Sequence, residues 1–326
     1  MVQPFERNVI ALIWDFDKTL IDGYMQQPIF AKYGVNGNAF WEEVNALAAA
    51  YRRKYPRMRV NRETIYLNHF LTCVQQGVFP GLNNDVLHEL GAQLTFYPGL
   101  PEFFGELRRW IEEDKRYRKY KISVEHYIVS TGLAEMIRGS RIAPYVNGIW
   151  GCEFIEEPEL SALCGANEAQ RAAGPAAGQR QITQVGYTID NTSKTRAIFE
   201  INKGSNVDEK IDVNASMSPH DRRVPFAHMI YIADGPSDVP AFSIVRQNGG
   251  RTFAVYKRGA VKEFQQADRL RKDNRIDMYG EADYTELTQT TMWLREQTRQ
   301  IAEAIYQEKE QAIVRSVSEP PWHVNE

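Results

Sequence analysis

The chain has 326 residues, 43% of them hydrophobic and 25% charged, a balance that can bury a sizeable core; the length suits two domains or one domain with a large insertion. Its 39 Lys and Arg against 42 Asp and Glu leave a formal net charge of −3. No bulk basic field is present to gather nucleic acid or an anionic membrane surface, so any recognition of phosphate must be local.

The first predicted element is a buried strand over Val9–Trp14, apolar on both faces and followed at once by Asp15 and Asp17. This run is too short for a signal-peptide core, and no stretch approaches the ~20 apolar residues of a membrane helix. Cys73, Cys152 and Cys164 are an odd count without a Cys-x-x-Cys pair, which argues against a disulfide framework or zinc knuckle and fits a reducing compartment. A soluble, cytoplasmic protein with neither a membrane nor a nucleic-acid partner is expected.

Residues 23–96 read as helices, with examples at 38–55 and 62–76, and no convincing strand, so a small inserted helical domain is expected there. After the Pro98-Gly99 turn, 100–113 reads as a helix with Phe103, Leu107, Trp110 and Ile111 on one face. Further buried strands are predicted over 126–129 and Met229–Ala233. Strands alternating with helices predict an open α/β sheet whose ligands bind beyond the carboxyl ends of the strands. The Ala/Gly-rich stretch 161–181 reads as a mobile loop, and 208–224 as another polar connection. Residues 283–317 read as one long helix, with Leu287, Leu294, Ile301, Ile305 and Ala312 near heptad spacing. Thr291, Thr298 and Glu308 interrupt that seam. Packing against the core is therefore the stronger expectation, and a coiled coil that would make a homo-oligomer the weaker one.

Four segments carry chemistry. Asp15 and Asp17 leave one strand end together, and paired carboxylates suit a hard cation such as Mg²⁺. Phosphoryl transfer also needs a nucleophile and a proton donor for the leaving oxygen. Ser130, Thr131 and Gly132 follow the second predicted strand, where a hydroxyl and free backbone N–H groups can hold phosphate oxygens. Lys194 opens a helix, a position the macrodipole disfavours for a cation, and can neutralise phosphate charge. Asp234 and Asp238 follow the strand Met229–Ala233 in a sharp Gly-Pro turn and add carboxylates to an oxygen-rich site.

In this order, Asp-x-Asp-x-Thr, Ser, Lys and Asp-Gly-x-x-Asp, the chain resembles the haloacid dehalogenase superfamily of phosphotransferases, over about residues 8–22 and 97–258. The resemblance implies a Rossmann-like, doubly wound, mostly parallel sheet formed by 1–22 and 97–326. The helical stretch 23–96 would then be a cap like that of the phosphoserine-phosphatase branch. It implies that Asp15 attacks phosphorus to form an aspartyl-phosphate, and that Asp17 protonates the leaving group and later activates water. Ser130, with Thr131 and Gly132, would bind the phosphoryl group, and Lys194 would stabilise its charge. Asp15, the backbone carbonyl of Asp17, and Asp234 would hold Mg²⁺, with Asp238 supporting that shell. The expected function is hydrolysis of a small phosphorylated metabolite.

Two departures stand out. Tyr24 occupies the position, nine residues after Asp15, where phosphoserine phosphatases carry a substrate-holding glutamate, which counts against serine phosphate. Ala233 and Ser237 replace a Gly and an Asn of the usual fourth segment and leave its acidic pair intact. The competing readings are a phosphomutase or C–halogen hydrolase on the same fold, and a catalytically silent binding protein. Asp17 counts against dehalogenation, and a scaffold gains nothing from clustered carboxylates that repel each other. Tyr24, Arg52, Arg53 and His69 are the substrate-contact candidates within 23–96.

Overall fold

Six consecutive apolar residues form β1 (Val9–Trp14), and all six are buried in the computed structural model, which describes residues 5–156 and 180–318. Successive strand side chains point to opposite faces. Ile10, Leu12 and Trp14 accordingly join one core layer, and Val9, Ala11 and Ile13 the other. A strand apolar on both faces belongs at the centre of a covered parallel sheet. β1 lies there, flanked in parallel by β2 (Ser123–Leu133) and β5 (Met229–Ala233). With β3 (Gly148–Ile155), β4 (Gln184–Tyr187), β6 (Arg251–Tyr256) and β7 (Met278–Glu281), the sheet has seven strands in the order β4-β3-β2-β1-β5-β6-β7. Only β4 runs antiparallel to its neighbour. The stepping direction reverses between β1 and β5. That makes their carboxyl ends the switch point of a doubly wound sheet, the place where such folds bind ligands.

Helices α1 (Gln27–Tyr33), α2 (Gly37–Lys54), α3 (Arg62–Gln75) and α4 (Asn84–Gly91) occupy the stretch expected to be an insertion. Asn36, Asn61 and Asn83 cap α2, α3 and α4 by accepting backbone N–H bonds with their side chains. Their centre is aromatic. The Phe40 ring lies 4.9 Å from both Phe30 and Phe70, and Phe70 lies 5.3 Å from Phe79. These rings belong to the same continuous core layer as Trp14, together with α5 (Glu102–Glu112), α6 (Lys115–Lys119), α7 (Ala134–Arg138) and α11 (Gln289–Ser318). The other face is covered by α8 (Lys194–Lys203), α9 (Val239–Gln247) and α10 (Val261–Lys272).

Three expectations need correction. β2 runs on to Leu133, so Ser130, Thr131 and Gly132 sit in its last residues and not beyond them; the pairing with β3 is irregular between Val129 and Leu133. The C-terminal helix starts at Gln289, because Asp283 accepts from Thr285 N and Thr288 Oγ1 in a preceding turn. Leu287 there has φ 63° and is 77% exposed, and Ala312 is exposed as well. Leu294, Ile301 and Ile305 do pack into the core, while Thr291 and Thr298 spend their hydroxyls on backbone carbonyls. Most of 161–181 lies outside the described residues. Among the described residues no helix is long and apolar enough to cross a membrane, and Cys73 and Cys152 are free and buried.

His126, on β2 beside β1, is fully buried. Its ring lies 4.2 Å from that of Phe104, it accepts from Trp14 Nε1 at 3.2 Å, and its Nε2 donates to Phe104 O at 3.2 Å. Burial above all, and then Arg108, push its pKa from the usual 6.5 to about 3. A His held neutral in the fold contributes stability above pH 6.5 that is lost as pH falls toward its folded value, because the unfolded chain takes up the proton first. The stability difference between the parent and His126→Gln, measured by urea denaturation, should therefore shrink by about 2 kcal/mol between pH 7 and pH 5. A difference independent of pH would show that the ring is not held neutral.

Candidate active site

Asp15 follows β1 directly, and its N–H donates to Ile232 O at 2.8 Å, so its carboxylate sits at the switch point. The chain then turns tightly. Lys18 has φ 57°, Leu20 N donates to Phe16 O at 2.8 Å, and Thr19 Oγ1 reaches back to Asp15 Oδ2 at 3.2 Å. Asp17 Oδ1 accepts from Met25 N at 2.9 Å, which ties this turn to the start of the inserted helices.

Lys194 begins α8, and its side chain is 2% exposed. Its ammonium donates to Asp15 Oδ1 and to Asp238 Oδ1, both at 2.6 Å. Two carboxylates thus offset the cost of placing a cation at a helix start. Asp238 is wholly buried and also accepts from Tyr231 Oη at 2.6 Å and Ser237 Oγ at 2.8 Å. Oxygens of Asp15, Asp234 and Asp238 lie within 4.8 Å of one another. The Asp17 side chain stands outside that group.

The electrostatics follow from burial and crowding. Burial raises Asp15 to about 6, with Lys194 opposing and Asp238 adding to the rise. Burial and then Asp15 raise Asp17 to about 8, and burial with Asp15 and Asp238 holds Asp234 well above the usual carboxylate range. For Lys194, burial works to lower the pKa but is outweighed by Asp15 and Asp238, so the ammonium stays charged. Three like charges this close ionise together only with a cation among them, and an all-oxygen donor set suits a hard divalent one.

Ser130 is buried, and its Oγ accepts from Gly132 N at 3.0 Å. Gly132 is a close approach: a Cβ there would lie 2.6 Å from Met25 Sδ. Thr131 O accepts from Tyr66 Oη at 2.7 Å and from Cys152 Sγ at 3.3 Å. A residue of inserted helix α3 therefore holds the backbone of the β2 end. Thr131 and Gly132 line a cavity of about 410 Å³ with Asp15, Asp17, Lys194 and Asp234. Its opposite wall comes from the inserted segment and includes Tyr24, Gln26, Trp41 and Tyr66.

All four expected segments thus converge at one place. Of the four substrate-contact candidates, only Tyr24 reaches the cavity. Arg52 and Arg53 are exposed on α2, and His69 pairs with Glu43 at 3.3 Å in a larger cavity of about 620 Å³ that none of the four aspartates lines. Gln26, Trp41 and Tyr66 were not anticipated; Gln26 stands just before α1 and the other two on helices whose pattern marks packing, and nothing in their spacing singles them out.

No protein-family model matches the chain. It is 41% identical over 292 residues, 89% of this chain and 96% of the relative, to a Borreliella burgdorferi protein described only as uncharacterized. The chain belongs to one family with that protein. Among solved structures, a HAD-family hydrolase of Salmonella enterica is 14% identical with a TM-score of 0.44, over 80% of this chain and 67% of the other. A phosphoserine phosphatase is 14% identical with a TM-score of 0.43, over 83% of this chain and 93% of the other. These likenesses are distant and add nothing to the site, which rests on its own geometry.

Removing the ammonium tests this electrostatic arrangement without any assay of activity. Lys194→Met leaves buried carboxylates without their partner and should cost about 3–5 kcal/mol of stability at pH 8 in metal-free buffer. At pH 5 the loss should be smaller, because carboxylates with raised pKa values take up protons there. Equal losses at both pH values, by urea denaturation, would contradict charge crowding as the organising force.

Proposed function

We propose that the protein is a magnesium-dependent phosphomonoester hydrolase of the haloacid dehalogenase superfamily, with Asp15 as nucleophile. The observation that carries this reading is the Lys194 ammonium held at 2.6 Å from both Asp15 and Asp238 at the switch point of the sheet. Such an ammonium neutralises charge on a phosphoryl group while fixing the carboxylate that attacks it.

Asp15, Asp234 and Asp238, whose oxygens cluster, would hold Mg²⁺ together with the backbone carbonyl of Asp17. When bound, the ion would offset charge on the phosphoryl oxygens. Lys194 on Oδ1 and Thr19 on Oδ2 orient the Asp15 carboxylate. Its attack on phosphorus forms the aspartyl-phosphate and breaks the P–O ester bond. Asp17, whose pKa near 8 keeps it protonated at neutral pH, gives its proton to the departing oxygen. The Asp17 carboxylate so formed then takes a proton from water, whose oxygen attacks phosphorus, and phosphate and Asp15 are released. Thr131 and Gly132, which line the cavity, face the phosphoryl oxygens, while Ser130 Oγ holds the Gly132 N–H. Helices α1–α4 act as the cap that faces the leaving group.

Phosphate release should disappear in EDTA and return with Mg²⁺; undiminished hydrolysis by metal-free protein would refute the metal site. Asp15→Asn should abolish turnover, because an amide oxygen is a poor nucleophile. Asp17→Asn should cost about 10²–10⁴-fold, and least with p-nitrophenyl phosphate, whose leaving group barely needs a proton. Substantial activity in Asp15→Asn would mean that another group attacks.

A further inference from the structure

Helices α2 and α3 carry a charge pattern that the chemistry above does not use. From Val44 to Arg62 the chain has six cations, Arg52, Arg53, Lys54, Arg57, Arg59 and Arg62, and no acidic residue, in a protein whose net charge is −3. All six are exposed, and among the described residues none has an ion-pair or hydrogen-bond partner. Arg52, Arg53 and Lys54 lie in the last turn of α2, where cations complement the helix macrodipole. Arg57 and Arg59 lie beyond that helix, and Arg62 opens α3, where the macrodipole disfavours a cation. Helix stability thus accounts for three of the six. Aromatic and apolar side chains interleave with these cations: Tyr51, Tyr55 and Met58 are 40%, 42% and 54% exposed. Tyr55 N donates to Tyr51 O at 2.8 Å, which sets the two rings one helical turn apart on one side. Both line the 620 Å³ cavity with Met58 and Arg59, and Asn68 and Gln76 add exposed amides to its α3 wall. Glu42 and Glu43 stand more than two helical turns before Arg52, Glu43 is engaged with His69, and Glu63 lines the catalytic cavity instead.

We propose that this face of α2 and α3 binds single-stranded nucleic acid. A single strand alternates phosphates, which unpaired Arg and Lys side chains meet, with flat bases, which stack on tyrosine rings. The amides of Asn68 and Gln76 both donate and accept, as base edges require. The expectation of no nucleic-acid partner rests on the charge of the whole chain, and a local run of cations disappears in that sum. An anionic membrane fits less well. α2 turns Phe40, Val44 and Ala48 into the core, and Tyr51, Tyr55 and Met58 line a cavity instead of forming a stripe that enters lipid. An acidic peptide answers the cations and leaves the rings unused. None of the four catalytic-site aspartates lines this cavity, so the inference stands or falls apart from the phosphohydrolase reading.

The test is fluorescence anisotropy of a labelled single strand of about 12 nucleotides, as DNA and as RNA, titrated with the full chain across a range of salt concentrations. The same sequence as a duplex, polyglutamate, and vesicles containing phosphatidylserine are the comparison probes. At least one form of the single strand should bind saturably, roughly tenfold or more tighter than the duplex or polyglutamate, because only its bases are open to the two rings. Replacing Arg52, Arg53 and Arg57 together by Ser should weaken binding at low salt and flatten the slope of log Kd against log salt by about 2. Tyr51→Ala with Tyr55→Ala should weaken binding roughly tenfold per ring and leave that slope unchanged. All five positions are exposed, so both variants should melt where the parent does. No saturable binding of either single strand by the parent protein overturns the inference. So do equal affinity for the duplex or polyglutamate, a preference for the vesicles, or parental affinity in either variant.

Discussion

A buried ammonium shared by two carboxylates is the constraint on which the rest of the site depends. Lys194, Asp15 and Asp238 come from three separate places in the chain: the first residue of α8, the end of β1, and the turn after β5. Each would be costly to bury alone. Together they fix how α8 meets the sheet, and Tyr231 Oη and Ser237 Oγ complete the ligation of Asp238 so that the pair tolerates full burial. The doubly wound order supplies the opening, because β1 and β5 part their connections to opposite sides and leave their carboxyl ends uncovered.

Much of this was legible in the sequence, for an identifiable reason. β1 and β5 are short apolar runs of five or six residues, buried on both faces, and no helix of that length would read the same way. The carboxylates, Lys194 and the Ser130 segment were legible through their order along the chain. β3, β4, β6 and β7 were not. β3 carries Gly148 and Gly151 within eight residues, β6 opens on Arg251, and β4 and β7 have only four residues each, too few for periodicity to act on. The overrun of β2 past Val129 was hidden because Ser, Thr and Gly are ordinary turn residues. Here they continue a strand whose pairing has become irregular. Leu287 misled because heptad spacing says nothing about a turn built by Asp283, Thr285 and Thr288.

The inserted helices were legible as helices but not as a wall. Their apolar residues, chiefly Phe30, Phe40, Phe70 and Phe79, merge with the sheet's own core layer, so the usual sign of a separate body, a separate core, is missing. Much of what reaches the cavity from them is incidental to their periodicity, such as Gln26 just before α1, Trp41 early in α2, and Tyr66 in α3. The conspicuous basic run at 52–54 lies on the exposed end of α2 instead. Charge drew attention there because charge is visible in a sequence, whereas a wall of aromatic and amide side chains beside one Arg62–Glu63 pair is not.

The three clustered carboxylates are also unequal, and the inequality says what the site is built to receive. Both Asp15 oxygens are engaged, by Lys194 and Thr19, and both Asp238 oxygens are engaged, by Lys194, Tyr231 and Ser237. Asp234 accepts no hydrogen bond from any described side chain or backbone group, yet it lines the cavity within reach of the other two. Burial and its two neighbours both disfavour its charge. A carboxylate kept in such a place without a protein donor gains most from a cation that arrives from solution, since that cation relieves the repulsion from Asp15 and Asp238 in the same step. The protein's own donors thus go to Asp15 and Asp238, and of the three clustered carboxylates Asp234 is the one left open to a cation.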